Sequence, residues 1–273
     1  MALQSESTAG PTKRVTVRDL VAAKRSRRPI SMVTAYDFPT ARVVDAAGVD
    51  CVLVGDSVAM VVAGRSSTIP ATLEQMIYHG EIVSRGVERA FVVVDLPFPL
   101  QHLGVERAIE ASARILKETG CQGVKLEGTA GQADVIAGIA NAGIPVMGHV
   151  GLRPQAVHQL GGYRMQRDHD RLMDDAKAAA TAGAFAVVLE CIPGETASAI
   201  TETIAVPTIG IGAGIHCDGQ VLVLHDLVGL SPDRVPRFVR RYADAGGVIR
   251  DAVGRWHADV VERRFPGPDE TLG

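Results

Sequence analysis

Cysteine is scarce in this chain, and the four cysteines lie far apart in it, at Cys51, Cys121, Cys191 and Cys217. None of them pairs with another at the short spacing of a zinc knuckle. Four thiols in 273 residues also fall well short of the disulfide framework that holds small secreted proteins together. We therefore expect reduced thiols and a cytoplasmic protein.

The chain also lacks a net positive charge and long apolar runs, and it contains few aromatic residues. The formal net charge is -3 and aromatic residues make up 4% of the chain, which argues against nucleic acid as a partner. No apolar run approaches the roughly 20 residues that cross a bilayer, so we expect no membrane partner. The first residues lack the apolar core of a signal peptide, which again favours the cytoplasm.

The chain contains an alternation of short β-rich runs and longer alanine-rich helical segments. Runs that are apolar on both faces and alternate with helices predict a parallel sheet covered by helices. The eight runs are Ser31–Tyr36, Val49–Gly55, Phe91–Val94, Gly123–Leu126, Ile144–Gly148, Phe185–Leu189, Val206–Ile211 and Gln220–Leu224. Eight such units favour a closed (β/α)₈ TIM barrel. An open doubly wound sheet is the alternative.

The helical segments and the two ends of the chain complete the predicted organisation. Residues 1–14 read as a flexible N-terminal tail, and Thr16 with Asp19 predicts a short capped helix that precedes the barrel. Residues 15–273 are then a single barrel domain, with a terminal helix and a loose end beyond Gly254. The predicted helices are 39–47, 73–85, 105–118, 132–141, 170–182 and 195–204, and glycines at 48, 120, 143 and 183 are expected to end four of them.

Acidic residues follow several of the predicted strands. In a parallel barrel the carboxyl ends of the strands form the functional face. Asp56, Asp95 and Glu127 end successive strands, and Glu190 ends another. His149 follows the fifth run.

Each of these residues also has a structural explanation. Asp56 and Ser57 suit helix N-caps, and Asp95 suits the turn at Leu-Pro-Phe-Pro. Lys125 and Glu127, two apart in a strand, point to one face and form either a buried ion pair or part of a site. His149 suits a donor to a nearby carbonyl.

Taken together, the acids indicate a metal site. Three carboxylates on one rim would repel one another unless a cation lies between them, and oxygen ligands with open positions suit Mg²⁺. Such an ion binds a 2-oxo acid and acidifies the neighbouring C–H, which predicts an enolate. Lys125 would meet the substrate's negative charge and Ser57 would donate a hydrogen bond.

The glycine-rich run Ile209–Gly214 lies where barrels often bind phosphate. Its match to a dinucleotide fingerprint is poor, because neither the helix nor the distal acid of that fingerprint follows it. Tight turning or close backbone approach is the explanation we favour.

The motifs resemble those of the ketopantoate hydroxymethyltransferase family, and the resemblance covers nearly all of residues 15–250 in order. The segments that carry it are VTAYD (33–37), VLVGDS (52–57), YHG (78–80), DLPF (95–98), VKLEG (124–128), GHVGLRPQ (148–155), GGYR (161–164), VLECIP (188–193), IGIGAG (209–214) and DGQVLVLHD (218–226). The chain departs from the family pattern in a short 165–171 region and an extended C-terminal tail.

The resemblance implies an activity that the residues alone do not. It implies hydroxymethyl transfer from 5,10-methylenetetrahydrofolate to 3-methyl-2-oxobutanoate, which yields 2-dehydropantoate in the first step toward pantothenate and coenzyme A. It implies Mg²⁺ on Asp56, Asp95 and Glu127, and a homo-oligomer, often a decamer.

The resemblance also implies the roles of individual side chains. The oxo acid contacts Asp56, Ser57, Asp95 and Lys125, and Glu190 is the proton acceptor. His149 takes an active-site position whose role stays open. The rivals are a metal-dependent carbon–carbon lyase or phosphonomutase, whose Cys-Gly-His motif the chain lacks, and a non-catalytic scaffold barrel, which leaves charged strand ends unexplained.

Overall fold

The computed structural model describes residues 13–231 and 235–272. The chain divides into two compact units, the first ending at Leu222 and the second beginning at Val223. The predicted flexible tail lies outside the described residues up to position 12, and the single domain predicted over 15–273 stays a prediction.

Eight parallel strands close into a barrel in the order in which they occur along the chain, and β8 pairs with β1. This confirms the (β/α)₈ prediction and makes the open-sheet alternative wrong. The strands are β1 Ile30–Thr34, β2 Cys51–Val54, β3 Phe91–Asp95, β4 Gly123–Glu127, β5 Val146–Gly151, β6 Ala186–Glu190, β7 Thr208–Ile211 and β8 Gly219–Leu222.

All six predicted helices between strands are present, with ends shifted by a few residues. The helices are α1 Val17–Arg25, α2 Phe38–Ala46, α3 Val58–Val61, α4 Leu73–Gly86, α5 Val105–Thr119, α6 Ala133–Asn141, α7 His169–Thr181, α8 Gly194–Thr203, α9 Leu224–Leu227 and α10 Ala245–Val261. The glycines predicted to end helices all have positive φ, namely Gly48, Gly120, Gly143 and Gly183.

Helix α1 closes the amino end of the barrel. Its N-cap Thr16 forms a capping box with Asp19, as predicted, which satisfies backbone N–H groups at the start of the helix. Leu20 and Ala23 are buried in the same apolar cluster as Phe91, from the first position of β3. Burial of this apolar face is what holds so short a helix in place.

Strand alternation decides which side chains enter the barrel. Successive side chains of a strand point to opposite faces. Phe91 and Val93 of β3 belong to the interior cluster, so Asp95 points inward above them at the carboxyl end. Ala186 and Val188 of β6 likewise place Glu190 inward.

The fifth strand is longer than predicted. The sequence prediction ended it at Gly148, but β5 runs to Gly151 and pairs His149 with Glu127 on one side and Val188 on the other. A polar residue beside a glycine indicates a strand end in the sequence. Here Met147 lies in the interior cluster, so His149 points inward above it.

The C-terminal unit contains α9 and α10. Asp244 caps α10 by accepting a hydrogen bond from the Gly247 backbone N–H at 3.1 Å. The terminal helix predicted beyond Gly254 therefore begins earlier than expected. The sequence pattern does not reveal this start of the helix, because Gly246 and Gly247 lie in its first turn and glycine is less favourable in a helix by about 1 kcal/mol.

Two further predictions concern chemistry rather than shape. All four cysteines are free thiols, as expected. Within the described part of the chain, no helix has both the length and the apolar character that spanning a membrane would take.

Gly151 at the end of β5 allows two strands to approach closely. Its φ is +99°, and a Cβ there would lie 2.3 Å from the Glu190 carbonyl oxygen and 2.8 Å from Ile192 Cγ2. Gly48 also has a positive φ, +83°, but no atom lies within 4 Å of a Cβ built on it.

Gly151→Ala should therefore destabilise the protein more than Gly48→Ala. Backbone strain in the left-handed region costs about 1–2 kcal/mol at either position. The clash with Glu190 adds roughly 1–3 kcal/mol at position 151 alone. Urea unfolding of both variants measures the difference, and equal losses would contradict the contact with β6.

Candidate functional site

An ion pair joins β3 to β4 at the carboxyl end of the barrel. The strand register pairs Asp95 with Lys125, and Lys125 Nζ lies 2.9 Å from Asp95 Oδ1. Asp95 Oδ2 accepts a hydrogen bond from the Asp56 backbone N–H at 3.0 Å. Both residues of the pair are buried. The oxygens of Asp95 thus engage neighbouring segments rather than the turn that follows it.

Asp56 and Ser57 lie just beyond β2, and their side chains do not cap a helix. Ser57 occupies the N-cap position of α3 but forms no side-chain cap bond. Its Oγ lies 2.7 Å from Tyr36 Oη. Asp56 is buried, and its Oδ2 accepts a hydrogen bond from Gln155 Nε2 at 2.8 Å. The N-cap alternative is therefore wrong for both side chains.

Glu127 ends β4 and is as deeply buried as Asp95. Its Oε2 accepts a hydrogen bond from the Gln155 backbone N–H at 3.0 Å, and its Oε1 lies 3.9 Å from His149 Nδ1. Lys125 and Glu127 share the inward face, as predicted, but the close ion pair of Lys125 is with Asp95. Through Gln155 the structure brings Glu127 and Asp56 to one place.

His149 links Lys125 to Glu190. Its Nδ1 lies 3.3 Å from Lys125 Nζ, and its Nε2 lies 3.3 Å from Glu190 Oε2. An ammonium group only donates hydrogen bonds, so Nδ1 accepts and the ring proton resides on Nε2, toward Glu190. The alternative in which His149 serves a backbone carbonyl is not what these contacts show. Glu190 is the more exposed partner, with 17% of its side chain accessible.

The site contains more negative than positive charge, and the ionisation of its groups reflects this. Burial, and then the nearby Asp56 carboxylate, raise the pKa of Glu127 well above its usual value. Burial raises the pKa of Asp95 to about 6, although Lys125 opposes the shift. Burial alone would lower the pKa of Lys125, but the carboxylates of Asp95, Glu127 and Asp56 outweigh it and raise that pKa.

The imidazole of His149 is neutral at physiological pH. Burial lowers its pKa first, and the positive charge of Lys125 lowers it further. A neutral ring with its proton on Nε2 can donate to Glu190 while it accepts from Lys125. The arrangement therefore places the Nε2–H group of His149 close to the Glu190 carboxylate, at 3.3 Å.

The donor chemistry of the cluster suits a hard divalent cation. Asp56, Asp95 and Glu127 supply carboxylate oxygens, which Mg²⁺ prefers, and the raised pKa values of Asp95 and Glu127 mark negative charge that a cation would relieve. Among the described residues, however, no group of three or more His, Cys, Asp or Glu side chains is spaced to hold a metal ion. The contacts of Asp95 with Lys125 and of Asp56 with Gln155 occupy oxygens that such an ion would share.

Two residues of the site escaped sequence reasoning. Gln155 is buried and contacts both Asp56 and Glu127, but an amide carries no charge to mark it in a sequence. Tyr36 is buried with its hydroxyl on Ser57, and its carbonyl oxygen lies 2.6 Å from His79 Nδ1. Both residues lie inside segments that carry the family resemblance, and their place in those segments is the sequence signal that could have identified them as site residues.

The glycine-rich run at the end of β7 combines a closely packed strand end with a turn, as we expected. A Cβ on Gly210 would lie 2.8 Å from Cys217 Sγ, and Gly212 and Gly214 both have positive φ. The Gly214 carbonyl accepts a hydrogen bond from Gln220 Nε2 at 2.9 Å. Packing and turning thus account for these glycines.

Comparison with known proteins identifies relatives along nearly the whole chain. The family model described as ketopantoate hydroxymethyltransferase matches residues 14–268. A Rhodopirellula baltica protein named 3-methyl-2-oxobutanoate hydroxymethyltransferase is 53% identical over 259 residues, or 95% of this chain and 96% of that protein. A Carboxydothermus hydrogenoformans protein of the same name is 49% identical over 257 residues and covers 93% of each chain.

Solved structures of more distant proteins share the fold. Phosphonopyruvate hydrolase superposes with a TM-score of 0.62 at 13% identity, covering 94% of this chain and 93% of that chain. 2,3-Dimethylmalate lyase superposes with a TM-score of 0.60 at 17% identity, covering 94% and 91%. At such low identity these likenesses concern the barrel alone.

The raised pKa of Asp95 predicts a pH effect on stability. The folded protein retains the Asp95 proton up to about pH 6, whereas the unfolded chain loses it near 3.8. Between those values the folded state binds more protons, so the contribution of Asp95 to unfolding free energy is lost as pH rises through about 6.

Urea unfolding of the wild type and of Asp95→Asn, in EDTA at pH values from about 4 to 7, measures this effect by difference. The wild type should lose stability relative to the variant as pH rises across that window. Parallel pH profiles for the two proteins would contradict the assignment.

Proposed function

The chain belongs to the ketopantoate hydroxymethyltransferase family, and we propose from this that it transfers a hydroxymethyl group from 5,10-methylenetetrahydrofolate to 3-methyl-2-oxobutanoate. The product would be 2-dehydropantoate, in the first step toward pantothenate and coenzyme A. The observation that carries the proposal is near 50% identity to relatives of that name over almost the full chain. The buried acid–lysine–histidine cluster at the mouth of the barrel supports it.

We propose that the oxo acid binds at Asp56, Ser57, Asp95 and Lys125. Lys125 is held in its charged form by the surrounding carboxylates, so it can meet the negative charge of the substrate. The Ser57 side chain does not cap α3. Its hydroxyl is oriented by a hydrogen bond with the Tyr36 hydroxyl. These contacts would fix the substrate relative to the walls of the barrel.

We propose Mg²⁺ as the cofactor, held by Asp56, Asp95 and Glu127. Their oxygens and their excess negative charge are the support for this assignment. A bound divalent ion supplies Lewis-acid polarisation of a carbonyl oxygen.

Glu190 is the proposed base. It ends β6 pointing into the barrel, it is the more exposed of the two groups in its contact with His149, and the neutral imidazole stands 3.3 Å from its Oε2. In this role its carboxylate takes the proton from C3 of the oxo acid and leaves an enolate. The enolate carbon then bonds to the methylene carbon of the folate as one of the two C–N bonds of that carbon breaks. Water replaces the second nitrogen and supplies the hydroxyl oxygen, and the two freed folate nitrogens take up the C3 proton and one proton of the water.

We propose a cytoplasmic homo-oligomer, with ten copies as the family resemblance implies. Apolar side chains on α10 support association, since Val248, Val253 and Trp256 are each more than half exposed. Such a face suits contact with another protein surface better than contact with water.

Incubation with 3-methyl-2-oxobutanoate, 5,10-methylenetetrahydrofolate and Mg²⁺ tests the proposal. We expect 2-dehydropantoate, detected by mass spectrometry, and loss of turnover when EDTA removes the divalent ion. Restoration by added Mg²⁺ is the control for the EDTA arm. No product from purified wild-type protein under these conditions would refute the activity, and product formation unaffected by EDTA would refute the metal.

The role of Glu190 predicts a selective loss in Glu190→Gln. An amide cannot accept the C3 proton, so exchange of that proton with deuterated solvent should slow by about 10²–10⁴-fold. Binding of the oxo acid should persist, because its proposed contacts lie on other strands. NMR of the substrate in D₂O measures the exchange.

Glu195→Gln is the matched control, since Glu195 is an exposed residue in the first turn of α8. It undergoes the same chemical change near the same strand end, and its exchange rate should equal that of the wild type. Undiminished exchange in Glu190→Gln would rule Glu190 out as the base while leaving the overall activity in place.

A further inference from the structure

We propose that Gln155 is a positioning residue that sets the spacing between the carboxylates of Asp56 and Glu127. The inference deepens the proposed function, because those two carboxylates are its proposed ligands for the metal and the oxo acid. The hydrogen bonds of Gln155 go to the two acids, to the Leu96 carbonyl oxygen and to Gln101. It acts through the acids that it holds.

The first line of evidence is the number of contacts that one buried residue makes. Gln155 Nε2 donates to Asp56 Oδ2 at 2.8 Å and to the Leu96 carbonyl oxygen at 3.1 Å. Its backbone N–H donates to Glu127 Oε2 at 3.0 Å. Gln155 therefore connects the ends of β2, β3 and β4, which carry the three acids of the cluster.

The backbone contact follows from local structure. Gln155 is the second residue of a short 3₁₀ helix, Pro154–Ala156, that follows β5. The first N–H groups of a helix have no partner within it. The N–H of Gln155 is therefore available, and the Glu127 carboxylate accepts it. Any residue other than proline can supply this contact, so side-chain substitution separates it from the contact to Asp56.

The side-chain contact has a fixed direction. The amide oxygen of Gln155 accepts a hydrogen bond from Gln101 Nε2, and Gln101 is 2% exposed. Both hydrogens of Gln155 Nε2 are then used on Asp56 and Leu96. A flipped amide would place its oxygen against a carboxylate and a carbonyl oxygen, all of them acceptors. Gln101 thus holds Gln155 in its donating orientation.

The consequence for the acids is electrostatic as well as geometric. Asp56 and Glu127 repel each other in a buried setting, and the charge of Asp56 is one reason why the pKa of Glu127 is raised. A donor to each carboxylate on the same residue restrains both against that repulsion. Outer contacts of this kind typically change metal affinity or activity by 10–100-fold when removed.

Gln155→Met tests the inference, since methionine has similar length but no donor, and the backbone N–H to Glu127 remains. Gln122→Met is the matched control. The Gln122 side chain also makes two hydrogen bonds, accepting from the Val92 N–H at 2.9 Å and donating to the Val15 carbonyl at 3.1 Å, but just before the first residue of β4, at the amino end of the barrel. Gln101→Met is the milder second variant, because it frees the amide of Gln155 without removing it.

Three measurements are made on each variant: titration with Mg²⁺ alone by calorimetry, the KM and kcat for the oxo acid, and a crystal structure. Gln155→Met should weaken Mg²⁺ binding and raise the KM by about 10–100-fold, with a smaller change in kcat. Gln101→Met should change both in the same direction by less. Gln122→Met should lower the melting temperature comparably but leave affinity and KM unchanged.

The crystal structure keeps the inference testable whatever the wild type binds. We expect the Asp56 carboxylate to turn away from its wild-type position in Gln155→Met. A displacement below about 0.5 Å, or wild-type affinity and KM in a folded variant, would overturn the positioning role. Failure of the wild type to bind Mg²⁺ or form product would instead refute the proposed function, and the position of Asp56 would still decide the role of Gln155.

Discussion

The contact between Lys125 Nζ and Asp95 Oδ1, at 2.9 Å, places one buried positive charge among the carboxylates of the site. Lys125 remains an ammonium because carboxylates surround it, and an ammonium can only donate. Its approach to His149 Nδ1 therefore places the ring proton on Nε2, next to Glu190. One buried cation thus controls the proton position of a histidine and the surroundings of the proposed base.

The register of the barrel makes this chain of contacts possible. β3 pairs Asp95 with Lys125, β4 pairs Glu127 with His149, and β5 pairs Gly151 with Glu190. A slip of one residue in any strand would turn its functional side chain outward, toward the helices. The apolar residues below, such as Val93 and Val188, specify the register, because the same slip would also remove them from the core. The same strand register therefore determines both the packing at the amino end of the barrel and the placement of the site residues at the carboxyl end.

Much of this arrangement was predictable from residue type and spacing. Strand-end acids are visible because aspartate and glutamate interrupt apolar runs, and the period of two places Lys125 and Glu127 on one face. Three features were not predictable in this way. His149 lies inside a strand because its neighbours continue the pairing, Gln155 reaches the acids from the segment after β5, and glycines conceal the start of α10. The first two depend on contacts between distant parts of the chain, which a local pattern does not contain, and the third is missed because glycine has low helix propensity.

The buried acids lower the stability of the fold, and neighbouring residues offset this loss only in part. Desolvation of buried carboxylates rivals any attraction they gain, so Asp56, Asp95 and Glu127 are poor choices for stability. Lys125 compensates part of the charge, and Gln155 satisfies two of the carboxylates with hydrogen bonds. Apolar residues of similar volume would serve a barrel better at these positions, and the same barrel fills its lower interior with such residues. The proposed Mg²⁺ would account for acids kept at the mouth, because a hard cation neutralises carboxylates and binds their oxygens.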